Sequence, residues 1–264
     1  MAAAMEDLWE SPIRRRLRES QPVFGCAITS ASLDLAARAA ASGFHCLWLE
    51  LEHSPLTLET VRNIVLATRG LPAVPFARVP VTETWTAKRV LDAGVHGVVF
   101  PFVSTPALAQ QAAQACRYPP VGRRGSGAAL ATSTWPEPDS YFDSADRNII
   151  VVAMIEEASA LNHVDEIAAT PGVDVLFVGT GDLSFSLGLR GDQQHPRVEE
   201  AARSVCAAAA RHGKVAGRPA GSFEQTRRYI DAGFLFFHGP SDLGLLERGA
   251  AEFLGPHGIV PVQP

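Results

Sequence analysis

The chain has 264 residues, 47% of them hydrophobic, and a formal net charge of -5. Such a composition supports one large core in a single domain and excludes a basic nucleic-acid surface, so an anionic small molecule has to be met by a few placed cations. No apolar run approaches the roughly 20 residues of a membrane span, and the first residues are charged and amphipathic where a signal peptide is apolar, which sets a cytoplasmic expectation.

In chain order, Met5–Glu19 reads as a leading helix with Arg14, Arg15 and Arg16 on a charged face. Short β-branched or apolar runs then alternate with longer helical patterns. The predicted strands are Val23–Ile28, Cys46–Leu51, Ala73–Val79, Gly97–Val103, Ile149–Ile155, Val173–Gly179, Lys214–Arg218 and Phe234–Gly239. The helices between them are Leu33–Ser42, Leu58–Arg69, Thr84–Ala93, Pro106–Arg117, Ala160–Ala169, Pro196–His212 and Glu224–Ala232, with Leu243–Leu254 closing the series. Gly43, Gly70, Gly94, Gly213 and Gly233 stand where left-handed helix caps belong. Eight strand-helix units predict a closed parallel (β/α)8 barrel, the TIM-barrel architecture, over the whole of 1–264. An open dinucleotide-binding sheet is disfavoured, because the first turn, Thr29-Ser30-Ala31-Ser32, has no glycine.

Pro119–Asn148 interrupts the rhythm with Pro, Gly, Ser and Arg and is expected to be a long loop, while Gly255–Pro264 is a Pro-rich tail. Cys26, Cys46, Cys116 and Cys206 are scattered, with no C-x-x-C spacing, and suggest neither a disulfide framework nor zinc.

In a barrel the catalytic groups sit at the C-terminal ends of the strands. That rim collects Glu50-Leu51-Glu52-His53, Arg78, Pro101, Glu156 and Asp182. Glu156 and Asp182 are the metal candidates, as hard oxygen donors from adjacent strands, although an isolated acid before a helix is more often a cap. His53 is the candidate general base, with His238 a weaker second. Arg78 has the planar fork that clamps a carboxylate or oxyanion. Arg123 and Arg124, in the long loop, either reach an anionic substrate or stay solvated. A Schiff-base mechanism needs a lysine at the rim. The chain has only Lys88, inside a predicted helix, and Lys214, at the opposite end of a strand. Enolate charge then falls to a metal ion.

These residues carry a family likeness over nearly the whole chain. It runs through Gly43-Phe44, Glu52-His53-Ser54-Pro55, Arg78-Val79-Pro80, Leu91-Asp92-Ala93-Gly94, Arg117-Tyr118-Pro119-Pro120 with Gly122 and Arg124-Gly125, Ile155-Glu156, Gly172-Val173-Asp174, and Asp182-Leu183-Ser184 with Ser186-Leu187-Gly188. The sequence resembles the HpcH/HpaI aldolases, metal-dependent pyruvate aldolases of the phosphoenolpyruvate/pyruvate barrel type. The resemblance implies that Glu156 and Asp182 hold Mg2+, Mn2+ or Co2+ and that Arg78 contacts the 2-oxo acid and its enolate. It further implies that His53 is the acid-base group assisted by Asp92, and that amides around Gly181 and Asp182 hold the substrate carboxylate at a helix N-terminus. Family members assemble as homo-trimers or homo-hexamers, often exchanging the last helix.

The implied reaction is reversible cleavage of a 4-hydroxy-2-oxo acid to pyruvate, or a related 2-oxo acid, and an aldehyde. The alternatives are a related lyase or synthase acting on citrate-like or CoA-activated substrates, and a non-catalytic barrel used for binding. Four departures touch the acceptor side: Glu50 where the family usually has Asp, Met154 where the heptanedioate enzymes carry Gln, Gly179-Thr180-Gly181-Asp182 in place of Gly-Pro-x-Asp, and Cys26-Ala27 where several aldolases place Trp.

Overall fold

The computed structural model describes residues 9–259. Eight strands, β1 (Val23–Ile28), β2 (Cys46–Glu50), β3 (Val74–Arg78), β4 (Gly97–Phe100), β5 (Ile150–Ile155), β6 (Val175–Val178), β7 (Val215–Pro219) and β8 (Phe234–Ser241), pair in sequence order as a closed barrel. Every pairing is parallel, and β8 closes onto β1 through Val23 opposite Phe236. The helices are α1 (Pro12–Arg18), α2 (Leu33–Ala41), α3 (Leu58–Ala67), α4 (Thr84–Ala93), α5 (Pro106–Ala115), α6 (Ala129–Thr132), α7 (Tyr141–Asn148), α8 (Val164–Ala169), α9 (Thr180–Ser186), α10 (Pro196–Arg211), α11 (Phe223–Asp231) and α12 (Asp242–Leu254).

Local chemistry sets these boundaries. Ser32, Thr57, Thr105, Ser222 and Ser241 each accept a main-chain N–H from the first turn of the following helix. The five glycines predicted as caps all have positive φ.

The period-two alternation of each strand divides the core into two layers. Val23, Cys46, Trp48, Phe76, Val99, Ile150, Val152, Val175, Phe177 and Phe236 fill the barrel interior, and Ile13 of α1 packs into the same cluster. Outward-facing residues such as Leu47, Ala77, Val98, Val151 and Leu176 pack against the helices. At roughly 2–3 kcal/mol for each fully buried large apolar side chain, this interior is a packed plug, and the site has to lie above it.

The structure corrects several boundaries. The leading helix starts at Pro12, where proline favours a first helical position. The earlier part of that prediction, Met5–Leu8, lies outside the described residues, as do positions 260–264 of the tail. The supposed loop Pro119–Asn148 contains α6 and α7, held down by the buried rings of Trp135 and Tyr141. Ala160–Ala169 divides into a 3-10 turn, Ala158–His163, and α8. β4 ends at Phe100 rather than Val103, because Pro101 brings no N–H and Phe102 turns left-handed, φ 52°. α9, the helix whose N-terminus is expected at Gly181 and Asp182, starts at Thr180 and runs to Ser186.

Candidate active site

The alternation that fills the interior also dictates what stands above it. Cys46 and Trp48 are followed on the same face of β2 by Glu50, Val74 and Phe76 on β3 by Arg78, Val152 and Met154 on β5 by Glu156, and Val175 and Phe177 on β6 by Gly179. An ionic layer therefore caps the apolar one at the C-terminal end of the barrel.

Arg78 is its hub. Its Nε donates to Glu50 Oε2 at 2.6 Å, and its Nη1 lies 2.9 Å from Glu52 Oε2 and 3.9 Å from Met154 Sδ. Nη2 makes no hydrogen bond among the described residues. Glu50 also accepts the main-chain N–H groups of Glu52, at 2.8 Å, and His53, at 3.0 Å, and the indole N–H of Trp48 at 3.3 Å. Ser54 Oγ donates to its carbonyl. Burial pushes the Glu50 carboxyl upward, but the Arg78 charge and these hydrogen bonds outweigh it and hold it below the usual range. Burial acts the other way on Glu52, raising it despite Arg78 and His53.

Glu156 is buried, 1% exposed. Its Oε1 accepts the Phe102 N–H at 2.7 Å, while Oε2 has no partner among the described residues. A Cβ on residue 179 would collide with that oxygen, so a glycine there leaves the carboxylate its place. Burial pushes the carboxyl up to about 7, and the neighbouring Glu52 and Asp182 add to the rise while the Phe102 N–H and Arg78 oppose it.

Asp182 sits in the first turn of α9. The amides of Thr180, Gly181 and Asp182 open that helix and have no partner one turn back. A buried carboxylate with an orphaned oxygen, facing a second carboxylate, fits a hard divalent cation that takes its remaining ligands from water and substrate. Among the described residues no cluster of three or more His, Cys, Asp or Glu forms an all-protein cage.

His53 stands at the mouth with 59% of its side chain exposed, its Nε2 3.6 Å from Glu52 Oε2. His238, the second candidate, lies edge-on to Trp48 at 4.9 Å. Burial, helped by repulsion from Arg78, takes it down to about 4, so it stays neutral at physiological pH. Lys214 donates to the Val173 carbonyl at 2.8 Å, at the far end of the barrel, and Lys88 is on α4.

Asp92 and Arg124 are brought to each other and not to this rim. α4 runs back from the rim, so Asp92, near its C-terminus, falls level with the N-terminal ends of the strands. Arg124 Nη2 donates there to Asp92, 3.1 Å, and to Tyr141 Oη, 2.7 Å. Its guanidinium lies 4.7 Å from the Tyr118 ring centre, and the residue is 1% exposed. Within one chain, therefore, neither the expected assistance of His53 by Asp92 nor the expected reach of Arg124 toward substrate is met, because Arg124 is buried among the Tyr118 and Tyr141 rings and Asp92 is paired with it there.

The sequence reading put Glu50 and Glu52 on the rim without giving either a partner, although alternation with Trp48 already set Glu50 over the barrel interior. Phe102 carried no signal, since what it offers is a main-chain N–H.

Comparisons with known proteins identify the family and the fold. Residues 24–247 match the family model for HpcH/HpaI aldolase/citrate lyase. A hydroxypyruvate/pyruvate aldolase of Paraburkholderia phytofirmans is 36% identical over 251 residues, covering 92% of this chain and 96% of that protein. A 5-keto-4-deoxy-D-glucarate aldolase of Shigella sonnei is 35% identical over 254 residues, with 94% and 96% covered. Among solved structures, an HpcH/HpaI aldolase/citrate lyase family protein from Burkholderia cenocepacia superposes with a TM-score of 0.86 at 34% identity, covering 94% of this chain and all of that one.

Proposed function

From the premise that this chain belongs to the HpcH/HpaI aldolase/citrate lyase family and is a carbon-carbon lyase, we propose that it is a divalent-metal-dependent aldolase. It cleaves a 4-hydroxy-2-oxo acid reversibly to pyruvate, or a related 2-oxo acid, and an aldehyde. The observation that carries this reading is the buried Glu156 carboxylate with one oxygen orphaned among the described residues, in the field of Asp182 and Arg78.

Glu156 and Asp182 would hold Mg2+, Mn2+ or Co2+, and the ion would supply positive charge where the keto oxygen becomes an enolate oxygen. The chain's own groups do the rest. The opening amides of α9, at Gly181 and Asp182, take the substrate carboxylate. Arg78, clamped by Glu50 and Glu52 through Nε and Nη1, points its remaining Nη2 donors at the keto-acid oxygens, so its orientation is set before substrate arrives. His53 takes the 4-hydroxyl proton as the bond between carbons three and four breaks, and Glu52 beside it steadies the imidazolium that forms. In the reverse direction the same imidazolium returns the proton to the aldehyde oxygen.

The reading also takes the chain as one subunit of a homo-trimer or homo-hexamer. Leu243, Leu245, Leu246 and Phe253 of α12 are exposed, and Asp242 is the only fully buried residue of that helix.

Titrating Mn2+ into the protein and into Glu156→Ala and Asp182→Ala tests the metal assignment without reference to turnover. Loss of Mn2+ binding in both variants is expected. Undiminished affinity in either variant would make that residue a structural acid.

A further inference from the structure

We propose that the polar cavity behind α9, between the loops that follow β6 and β7, is a second ligand site, fitted to a small polyhydroxylated molecule such as a sugar alcohol. It is independent of the proposed reaction.

Strand parity sets one wall of the cavity. Gly217 of β7 faces the barrel interior, where a Cβ would strike Phe177 and Phe236, so Arg218 faces outward between α10 and α11. Its Nη1 and Nη2 donate to the Glu199 carboxylate of α10 at 3.0 and 2.7 Å, and its guanidinium lies 3.6 Å from the Tyr229 ring centre on α11. The residue is 3% exposed, yet its Nε finds no acceptor among the described residues. Beside it opens a space of about 450 Å³, lined also by Thr180, Pro219, Gln225 and residues 191–194, a volume in the range of small-molecule sites.

Two carboxamides line this space, and both are oriented. Gln225 Oε1 accepts the Gly221 N–H at 2.9 Å, and Gln193 Oε1 accepts the Thr180 hydroxyl at 2.7 Å. A main-chain N–H can only donate, so at Gln225 the oxygen end is tied and the NH2 end is left over. Neither Nε2 has a hydrogen-bond partner among the described residues, and that of Gln193 lies 4.0 Å from where a Cβ on residue 181 would stand. The cavity therefore offers unmet amide donors from two loops, with the Asp192 carboxylate as an acceptor and Pro219 as an apolar wall.

Charge narrows the ligand class. Glu199, held below the usual carboxylate range chiefly by its hydrogen bonds from Arg218, neutralises the guanidinium, and Asp192 adds a negative charge. Without a net positive charge the cavity suits hydroxyl groups, which accept from the amides and donate to Asp192, better than it suits a phosphate. It is also separate from the Glu156–Asp182 pair. Thr180 turns toward Gln193, and Asp182, two positions on and about 200° around the helix axis, turns away from the cavity.

D-glucitol is the probe, titrated into the protein with Mg2+ and excess pyruvate and followed by saturation-transfer NMR, with inorganic phosphate as the counter-probe. Wild type should bind glucitol saturably while pyruvate is in place. Gln193→Ala and Gln225→Ala should each weaken that binding by roughly threefold to tenfold, the scale of one lost hydrogen bond. Their melting temperatures should match wild type, because neither residue is buried. Absence of saturable glucitol binding, binding that pyruvate abolishes, undiminished affinity in either variant, or tighter binding of phosphate overturns the proposal.

Discussion

Arg78 Nε and Glu50 Oε2 lie 2.6 Å apart on neighbouring strands, with their parent residues directly paired in the β2–β3 register. The same carboxylate accepts the amides of Glu52 and His53, so one buried acid ties Arg78 to the loop bearing His53. Glu50→Gln keeps the shape but removes the charge. With hydrogen bonds to charged groups worth about 1.5–3 kcal/mol, the rate of pyruvate enolisation should fall roughly tenfold to a hundredfold. Arg78→Ala should lose at least as much, and Arg78→Lys should recover little, because a point donor cannot span two carboxylates and still face substrate. Steady-state kinetics on the three variants checks the order. A fully active Arg78→Lys would reduce the role of Arg78 to charge alone.

His53→Ala should slow aldol cleavage by roughly a hundredfold or more, the scale of general acid-base catalysis. Mn2+ affinity should not change, since the imidazole lies against Glu52 and is assigned no metal bond. Parallel measurement of turnover and Mn2+ binding separates the outcomes. Loss of metal binding would make His53 a ligand instead.

His96 gives a stability prediction away from the site. It is stacked on Trp135 at 4.7 Å, its Nδ1 has no partner among the described residues, and burial takes it down to about 4. An unfolded histidine titrates near 6.5, so between these values the unfolded chain takes up a proton that the folded one refuses, and stability falls as pH falls through that window. Between pH 7 and pH 5 this costs about 2 kcal/mol. His96→Phe keeps the stacking and removes the titration, so its urea-unfolding free energy should fall by about that much less over the same interval. Equal losses in both proteins would assign the acid sensitivity elsewhere.

The barrel was legible because its elements are locally consistent: caps such as Ser32 and Thr57, glycines such as Gly94, and strict alternation in the strands all point the same way. Glu50, Arg78, Glu156 and Asp182 could be placed on one rim for the same reason, since strand ends fix their height and parity their direction. Asp92 and Arg124 could not be placed, because a residue on a helix end or in an irregular segment takes its position from packing, here the Tyr118 and Tyr141 rings. Phe102 was invisible because its contribution is a main-chain angle, and α7 because Trp135, outside the helix, packs on its first residue, Tyr141.

Deuterium exchange at the pyruvate methyl group, followed by NMR with the ion present, removed by a chelator and then restored, tests the central claim without knowledge of the aldehyde. The account predicts exchange with Mg2+ or Mn2+, its loss on chelation, its return when the ion is added back, and its absence in Glu156→Ala at any concentration that saturates wild type. Undiminished exchange in fully chelated protein, or none in the metal-loaded protein, would contradict it.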